Sequence, residues 1–228
     1  MAERPVFIPT KEGRCLVMTK RVDFDWFPGM AVSQKQKSID ALHNSAQRHL
    51  NLERILEVSS KSRDSLGVSL SAFNLTITTL KLNRSFSVES AYQGSKRFER
   101  GGPYVDLLDK SSREAKLDER LKTSGRLLGF QFYGVEWPLE PQTAFYDWLY
   151  ISALSKHSEL LSEVSEYEAF TDIEFNPERS INCQAYSVAL FVALKSRGIL
   201  EMAISSKAEF ISQISSWNIS NAKQDEDG

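Results

Sequence analysis

The chain has 228 residues, of which 41% are hydrophobic and 25% charged, with a formal net charge of −2. That length can bury a sizeable core, and no apolar run approaches the roughly 20 residues of a membrane span. Two cysteines, Cys15 and Cys183, exclude both a disulfide framework and a cysteine metal quartet.

The N-terminal stretch "MAERPVFIPTKEGR" carries charge and proline where a signal peptide would be apolar, so the expected location is the cytoplasm. "PVFIP", a turn at "KEGR" and "CLVMTKRVDFDWF" predict a β-hairpin over residues 5–27, closed by Pro28-Gly29. "SQKQKSIDALHNSAQRHL" predicts a helix capped by Ser33, with Ile39, Leu42, Ala46 and Leu50 at helical spacing. Residues 66–86, rich in β-branched and apolar side chains, read as a second hairpin turning near Asn83. Ser87 then caps a helix running towards Gly101-Gly102, and Ser111 or Ser112 caps another that ends near Gly125.

Two further helices follow Pro138, and "FTDIEFNP" fits a short extended segment. "SINCQAYSVALFVALKSRG" is apolar almost all round, which predicts a central buried helix stopped by Gly198. The aromatic residues Phe130, Phe132, Tyr133 and Trp137 fit a core cluster, with base stacking as the alternative. Together the elements predict a single α+β domain over residues 1–220, mainly helical with short β-hairpins. A disordered tail is expected at 221–228.

Charge is distributed unevenly. Residues 1–126 carry 22 Lys+Arg against 15 Asp+Glu, while residues 127–228 carry 6 against 15. A basic half can supply phosphate contacts within a mildly acidic protein.

Two constellations carry candidate chemistry. On a continuous helix Gln93 and Lys96 fall within 40° of Glu89, with Tyr92 flanking them and Arg100 on the same stripe. A carboxylate, an amide and an ammonium so placed could hold a polar substrate, but spacing alone favours a solvated, salt-bridged face. The second is "FTDIEFNPERSINCQA", residues 170–185. On an extended segment Asp172, Glu174 and Asn176 share a face, and two shielded carboxylates would raise the proton affinity of one of them. That describes an acid/base or cation site, or else an exposed acidic edge. His43, His49 and His157 make no metal spacing with the cysteines, and no nucleotide-loop, nucleophile-elbow or zinc motif occurs. Neither a metal nor a cofactor is expected.

"LSAFN" (70–74), "VESAYQGSKRF" (88–98) and "DIEFNPERSINCQA" (172–185) together resemble the NADAR, or YbiA-like, family. Its members show an LSNF-like strand, an SEHxFQAxKF-like helix and a WGDGxxGxGxNxLG-like segment. Glu89, Gln93 and Lys96 fall on the family's Glu, Gln and Lys, Glu174 on the Asp of the third motif and Asn182 on its Asn. Arg97 is inserted before Phe98, Asp172 stands in place of the usual tryptophan, and "FNPERSI" replaces the glycine-rich loop. These departures resemble the subgroup associated with DarT-type DNA ADP-ribosyltransferase toxins. Core motifs span residues 66–190.

The resemblance implies a YbiA-like fold and an antitoxin that removes ADP-ribose from guanine in nucleic acid, single-stranded DNA being the expected substrate and free ADP-ribose the product. A functional pairing with the cognate toxin follows. It also turns the Glu89/Gln93/Lys96 stripe from a solvated face into a pocket wall. Glu89, Lys96, Glu174 and Asp172 are the expected catalytic residues. Gln93, Tyr92, Asn74, Lys61, Arg97, Asn176 and Asn182 are the expected ligand-binding residues. Lys35, Lys37, Arg84 and Arg100 are candidates for the nucleic-acid backbone. Two other readings stay open: an N-glycosidase acting on a phosphorylated riboflavin-pathway intermediate, and a non-catalytic module that binds ADP-ribose or sequesters the toxin.

Overall fold

The computed structural model describes residues 1–79, 83–178 and 180–217. The predicted tail at 221–228 lies outside the described residues. The first hairpin forms as expected: β1 (Ala2–Pro9) pairs antiparallel with β2 (Val17–Phe24), from Ala2↔Phe24 to Pro9↔Val17. Helix α1 (Val32–Leu50) follows, buries Ile39, Leu42 and Ala46, and ends on Asn51 in the left-handed conformation. Its N-cap is Ala31, with no side-chain cap, so Ser33 lies one position inside the helix.

The chain continues through β3 (Ile55–Glu57), α2 (Ser65–Ser69), β4 (Thr76–Thr78), β5 (Ser85–Ser87), α3 (Val88–Gly94) and β6 (Lys96–Phe98). A 3-10 turn at Val105–Asp109 leads to α4 (Ser112–Leu117), α5 (Arg120–Thr123), β7 (Leu127–Phe132), β8 (Val135–Trp137), α6 (Ala144–Leu154) and α7 (Ser158–Val164). β9 (Ala169–Thr171), α8 (Gln184–Ser196), α9 (Leu200–Ile204) and α10 (Lys207–Ser215) complete it.

The expected α+β class is borne out, with three small sheets among the helices of the described residues. The largest has the order β2-β1-β9-β3, in which β3 runs parallel to β9 with Glu57 opposite Thr171. Alternation along β1 sends Val6 to one face and Phe7 to the other. Val6 joins Ile39, Leu42 and Ala46 of α1, whereas Phe7 joins Tyr186, Val188 and Leu190 of α8 in the larger core. Helix α8 is buried all round, as its composition predicts, and Gly198 at φ +70° follows its end.

Three segments depart from expectation. Residues 66–75 are not strand: Asp64 caps α2 through Leu66 N–H, and Gly67 packs on β3 so closely that a Cβ there would lie 2.0 Å from the Glu57 carbonyl oxygen. The hairpin is confined to β4 and β5. The helix from Ser87 stops at Gly94, seven residues before the predicted glycines, because Ser95 Oγ bonds the Ala91 carbonyl and Lys96 enters a ladder opposite Phe130. The predicted 111–125 helix is two short ones, α4 and α5, the first capped by a Ser111–Glu114 capping box.

Both parallel strands end at the same place. Ser59 and Ser60 follow β3, Asp172 follows β9, and the chain then turns into α8. In open sheets of this kind ligands bind outside the carboxyl ends of the strands. No described helix is long and apolar enough to cross a membrane.

Candidate functional site

A cavity of about 450 Å³ opens at that point, within the range of small-molecule sites. Its walls include Ser59, Ser60, Phe73, Glu89, Tyr92, Gln93, Lys96, Lys116, Tyr146, Asp172, Glu174 and Asn182. A hollow of similar size, about 500 Å³, lies over α1 but is lined only by Asn44, Gln47 and Arg48. The first is the candidate site because buried polar groups converge on it.

Helix α3 supplies Glu89 and Gln93 one turn apart. Its first turn is fixed by Ser87, whose hydroxyl accepts from Ser90 N–H, and by the N–H groups of Val88 and Glu89, which donate to the carbonyls of Leu75 and Ala72. Glu89 is only 6% exposed. Its Oε1 accepts from Gln93 Nε2 at 2.9 Å and lies 3.7 Å from Lys116 Nζ. Gln93 Oε1 has no protein donor although it is buried.

Lys96 is on a strand, not on the helix with Glu89, yet it lines the same cavity. The i, i+7 stripe therefore fails as helix geometry while its two ends still converge. Arg100 does not share the stripe, since its guanidinium bonds the Thr123 carbonyl on the surface. The Lys96 ammonium sits 4.8 Å over the Tyr92 ring. Burial pushes its pKa down to about 8; Glu89 opposes that shift and Lys116 adds to it.

Tyr92 is clamped between Phe130, Phe145 and Tyr146, and its hydroxyl accepts from Asn182 Nδ2 at 2.6 Å. Burial raises its pKa well above the usual phenol value. That bond ties α3 to the segment leading into α8. Gln184 adds a second tie, accepting from Ala72 N–H at 2.8 Å and donating to the Val58 carbonyl at 2.6 Å.

The expected pairing of Asp172 with Glu174 on one strand face is corrected. β9 ends at Thr171, and the chain turns so that Asp172 Oδ1 accepts from Glu174 N–H at 3.0 Å. Asp172 is 7% exposed, whereas Glu174 stands at the mouth and pairs with Lys35 Nζ at 3.1 Å. Burial raises the proton affinity of Asp172, with Glu174 a lesser repulsive contributor.

Four predicted ligand-binding residues do not line the cavity. Asn74 Nδ2 donates to the Val68 carbonyl at the surface, bracing the loop behind α2. Arg97, next to Lys96 on a strand, points to the opposite face and pairs with Glu136. Asn176 folds back to accept from Glu178 N–H at 3.0 Å. Lys61 donates to Ser60 Oγ at 3.1 Å, one residue outside the wall. Of the expected backbone-binding cations, Arg84 is paired with Asp109 and Lys35 with Glu174.

Residues 2–224 match the family model described as DarT1-associated NADAR antitoxin. The chain belongs to that family. No curated protein matches it.

In this NADAR antitoxin two cavity features escape a reading by motif. Lys116 on α4 reaches over Phe73, 5.1 Å from the ring centroid, to Glu89. Its "SREAKLDER" context reads as an ordinary surface helix. Glu57, at the end of β3, is 2% exposed and accepts hydrogen bonds from Thr171 and Ile173 on either side of Asp172. A carboxylate inside the apolar run "ILEVS" is the signal that points to it. Of the sequence-predicted cluster aromatics, Phe130 and Trp137 are core, while Tyr133 at φ +46° is exposed on the β7–β8 turn, so it does not stack on anything within the cavity. Among the described residues no group of three or more His, Cys, Asp or Glu side chains could hold a metal ion.

Proposed function

We propose that this antitoxin is an N-glycohydrolase that releases ADP-ribose from guanine bases of DNA, undoing the modification made by a DarT-type toxin in the cytoplasm. The observation that carries the reading is convergence. Glu89, Lys96 and Asp172 come from two distant motifs, yet all line one cavity of about 450 Å³.

Cleavage of the ribose–guanine bond needs three things: stabilisation of an oxocarbenium-like carbon, a proton for the departing base and a positioned nucleophile. Glu89, shielded and held by Gln93, takes the role of the carboxylate facing the sugar carbon in this reading. Asp172, whose proton is retained towards neutrality, is the candidate acid for the departing purine. Lys96 has the depressed basicity that nucleophilic amines require, so it can attack the anomeric carbon or orient the water that does. Lys116 and the exposed mouth leave room for the diphosphate. The modified guanine must be unpaired or extruded to enter, because a base inside a duplex cannot reach such a wall.

A metabolite-directed glycosidase would use the same bond chemistry. The two are separated by measuring kcat/KM on an oligonucleotide carrying ADP-ribosyl-guanine and on the phosphorylated aminopyrimidine intermediate of riboflavin synthesis. The oligonucleotide is expected to be preferred by at least about 10²-fold, the discrimination expected when a site's polar groups lose their partners. A preference for the aminopyrimidine would replace this reading with the metabolic one.

A further inference from the structure

The cavity wall has a second carboxylate behind it that the reaction scheme does not use. Glu57 Oε1 accepts from Ser59 Oγ at 2.7 Å and from Ile173 N–H at 2.8 Å, while Oε2 accepts from Thr171 Oγ1 at 2.8 Å. Its donors thus come from the residues on either side of Asp172 and from the loop after β3. Through them Glu57 fixes the point where the chain leaves β9 and Asp172 turns to the cavity. Thr171 Oγ1 lies in turn 2.8 Å from His43 Nε2 on α1. Burial keeps that imidazole neutral, with a pKa lowered to about 4.

Every donor to Glu57 is neutral. Among the described residues no cation forms an ion pair with Glu57 or Asp172, although Arg4 on β1 is felt electrostatically at Asp172. The other titratable groups facing the two are Glu174 at the mouth, Tyr146 and Tyr150 on α6, Cys183 at the start of α8 and His43. Removing two carboxylates from water side by side is costly, and sharing one proton is the ordinary relief.

We propose that Glu57 is a positioning residue for Asp172, and that the two carboxyls hold one proton between them in the resting protein. Glu57 does not line the cavity, so it acts through Asp172 and not on the substrate. The proton belongs to the pair. Burial raises the proton affinity of both members, with repulsion from Asp172 adding to it at Glu57 and from Glu174 at Asp172, which keeps an acid available at the cavity wall near neutral pH. Use of that proton for the departing guanine rests on the proposed glycohydrolase reading; its presence does not.

The test is a carboxyl-carbon NMR titration of the full-length protein, labelled at Asp and Glu, without substrate. Two buried carboxyl resonances are expected to titrate in linked steps above pH 6, with Asp172→Asn and Glu57→Gln each leaving a single step about one pH unit or more lower. In Glu57→Gln the amide can still accept from Ser59 and Ile173 and donate to Thr171, so the turn is preserved. The high-pH limb of kcat/KM on the ADP-ribosylated oligonucleotide should move down by a similar interval, which a purely structural role would not cause. If both carboxyls of the wild-type protein are fully ionised by pH 5, the proposal is overturned, whether or not either variant folds. If the linked titration is present but no oligonucleotide is turned over, the shared proton stands and the glycohydrolase reading is what has failed.

Discussion

Replacing Lys96 with methionine is expected to destroy turnover and, at the same time, to stabilise the fold. The ammonium is half-buried against the Tyr92 ring, and burial is the main reason its pKa falls to about 8. A lysine whose folded pKa lies below its unfolded value binds fewer protons when folded, so it weakens the protein wherever it is charged in both states. That penalty is complete below pH 8 and disappears as pH rises through 8 towards 10.5. Methionine keeps the hydrocarbon stem and carries no charge to desolvate. With a discount for partial exposure, the gain at pH 7 is about 1–2 kcal/mol, or roughly 2–8 °C in Tm for a chain of this size. Release of ADP-ribose should fall by about 10³-fold or more, the usual consequence of losing a positioned nucleophile or acid. Calorimetry at pH 7 and pH 10 alongside a turnover assay checks both halves. Equal loss of activity and stability would mean that Lys96 serves the fold.

Glu89→Gln is the second large effect. The amide occupies the same volume and still offers an oxygen to Gln93 Nε2, so the helix should form as before. The charge that faces the proposed oxocarbenium centre is gone, and a loss of about 10²–10⁴-fold in kcat is expected with little change in KM. A separate readout follows from electrostatics. Glu89 is the group that favours the Lys96 ammonium, so in the variant the lysine should titrate below its wild-type value of about 8. Proton NMR of the lysine methylenes reports that shift in the absence of any substrate. An unmoved lysine would show that the two side chains do not sense each other.

The sequence makes the scaffold legible where periodicity and capping agree. The β1–β2 hairpin, α1 and the buried α8 each carry a clear pattern, and each appears within a few residues of its expected place. The helix after Ser87 is read too long because Lys96 and Phe98 fit a helical wheel as readily as a strand. What ends it is tertiary, the ladder of β6 with β7. Residues 170–176 are read as too extended for a related reason: the turn at Asp172 is held by Glu57, more than 110 positions away in sequence from the Thr171 and Ile173 donors it accepts from.

Site residues divide along the same line. Glu89, Tyr92, Gln93 and Asn182, to which spacing and family motifs point, all line the cavity. Asn74, Arg97 and Asn176 share those motifs, and Lys61 precedes them, but all four spend their polar groups on a carbonyl, a neighbouring carboxylate, a turn or a serine hydroxyl outside the cavity wall. Lys116 and Glu57 are missed because their significance lies in tertiary contacts: one reaches across from α4 to Glu89, and the other accepts from the two residues flanking Asp172.

The central claim is that this cavity cuts the bond between ribose and guanine. It is tested most directly by mass spectrometry of a single-stranded oligonucleotide carrying ADP-ribosyl-guanine, held in large excess over the purified protein. The account predicts many equivalents of free ADP-ribose per molecule of protein and an oligonucleotide restored to unmodified guanine. A conjugate that stays intact under those conditions, while still binding the protein tightly, would contradict it.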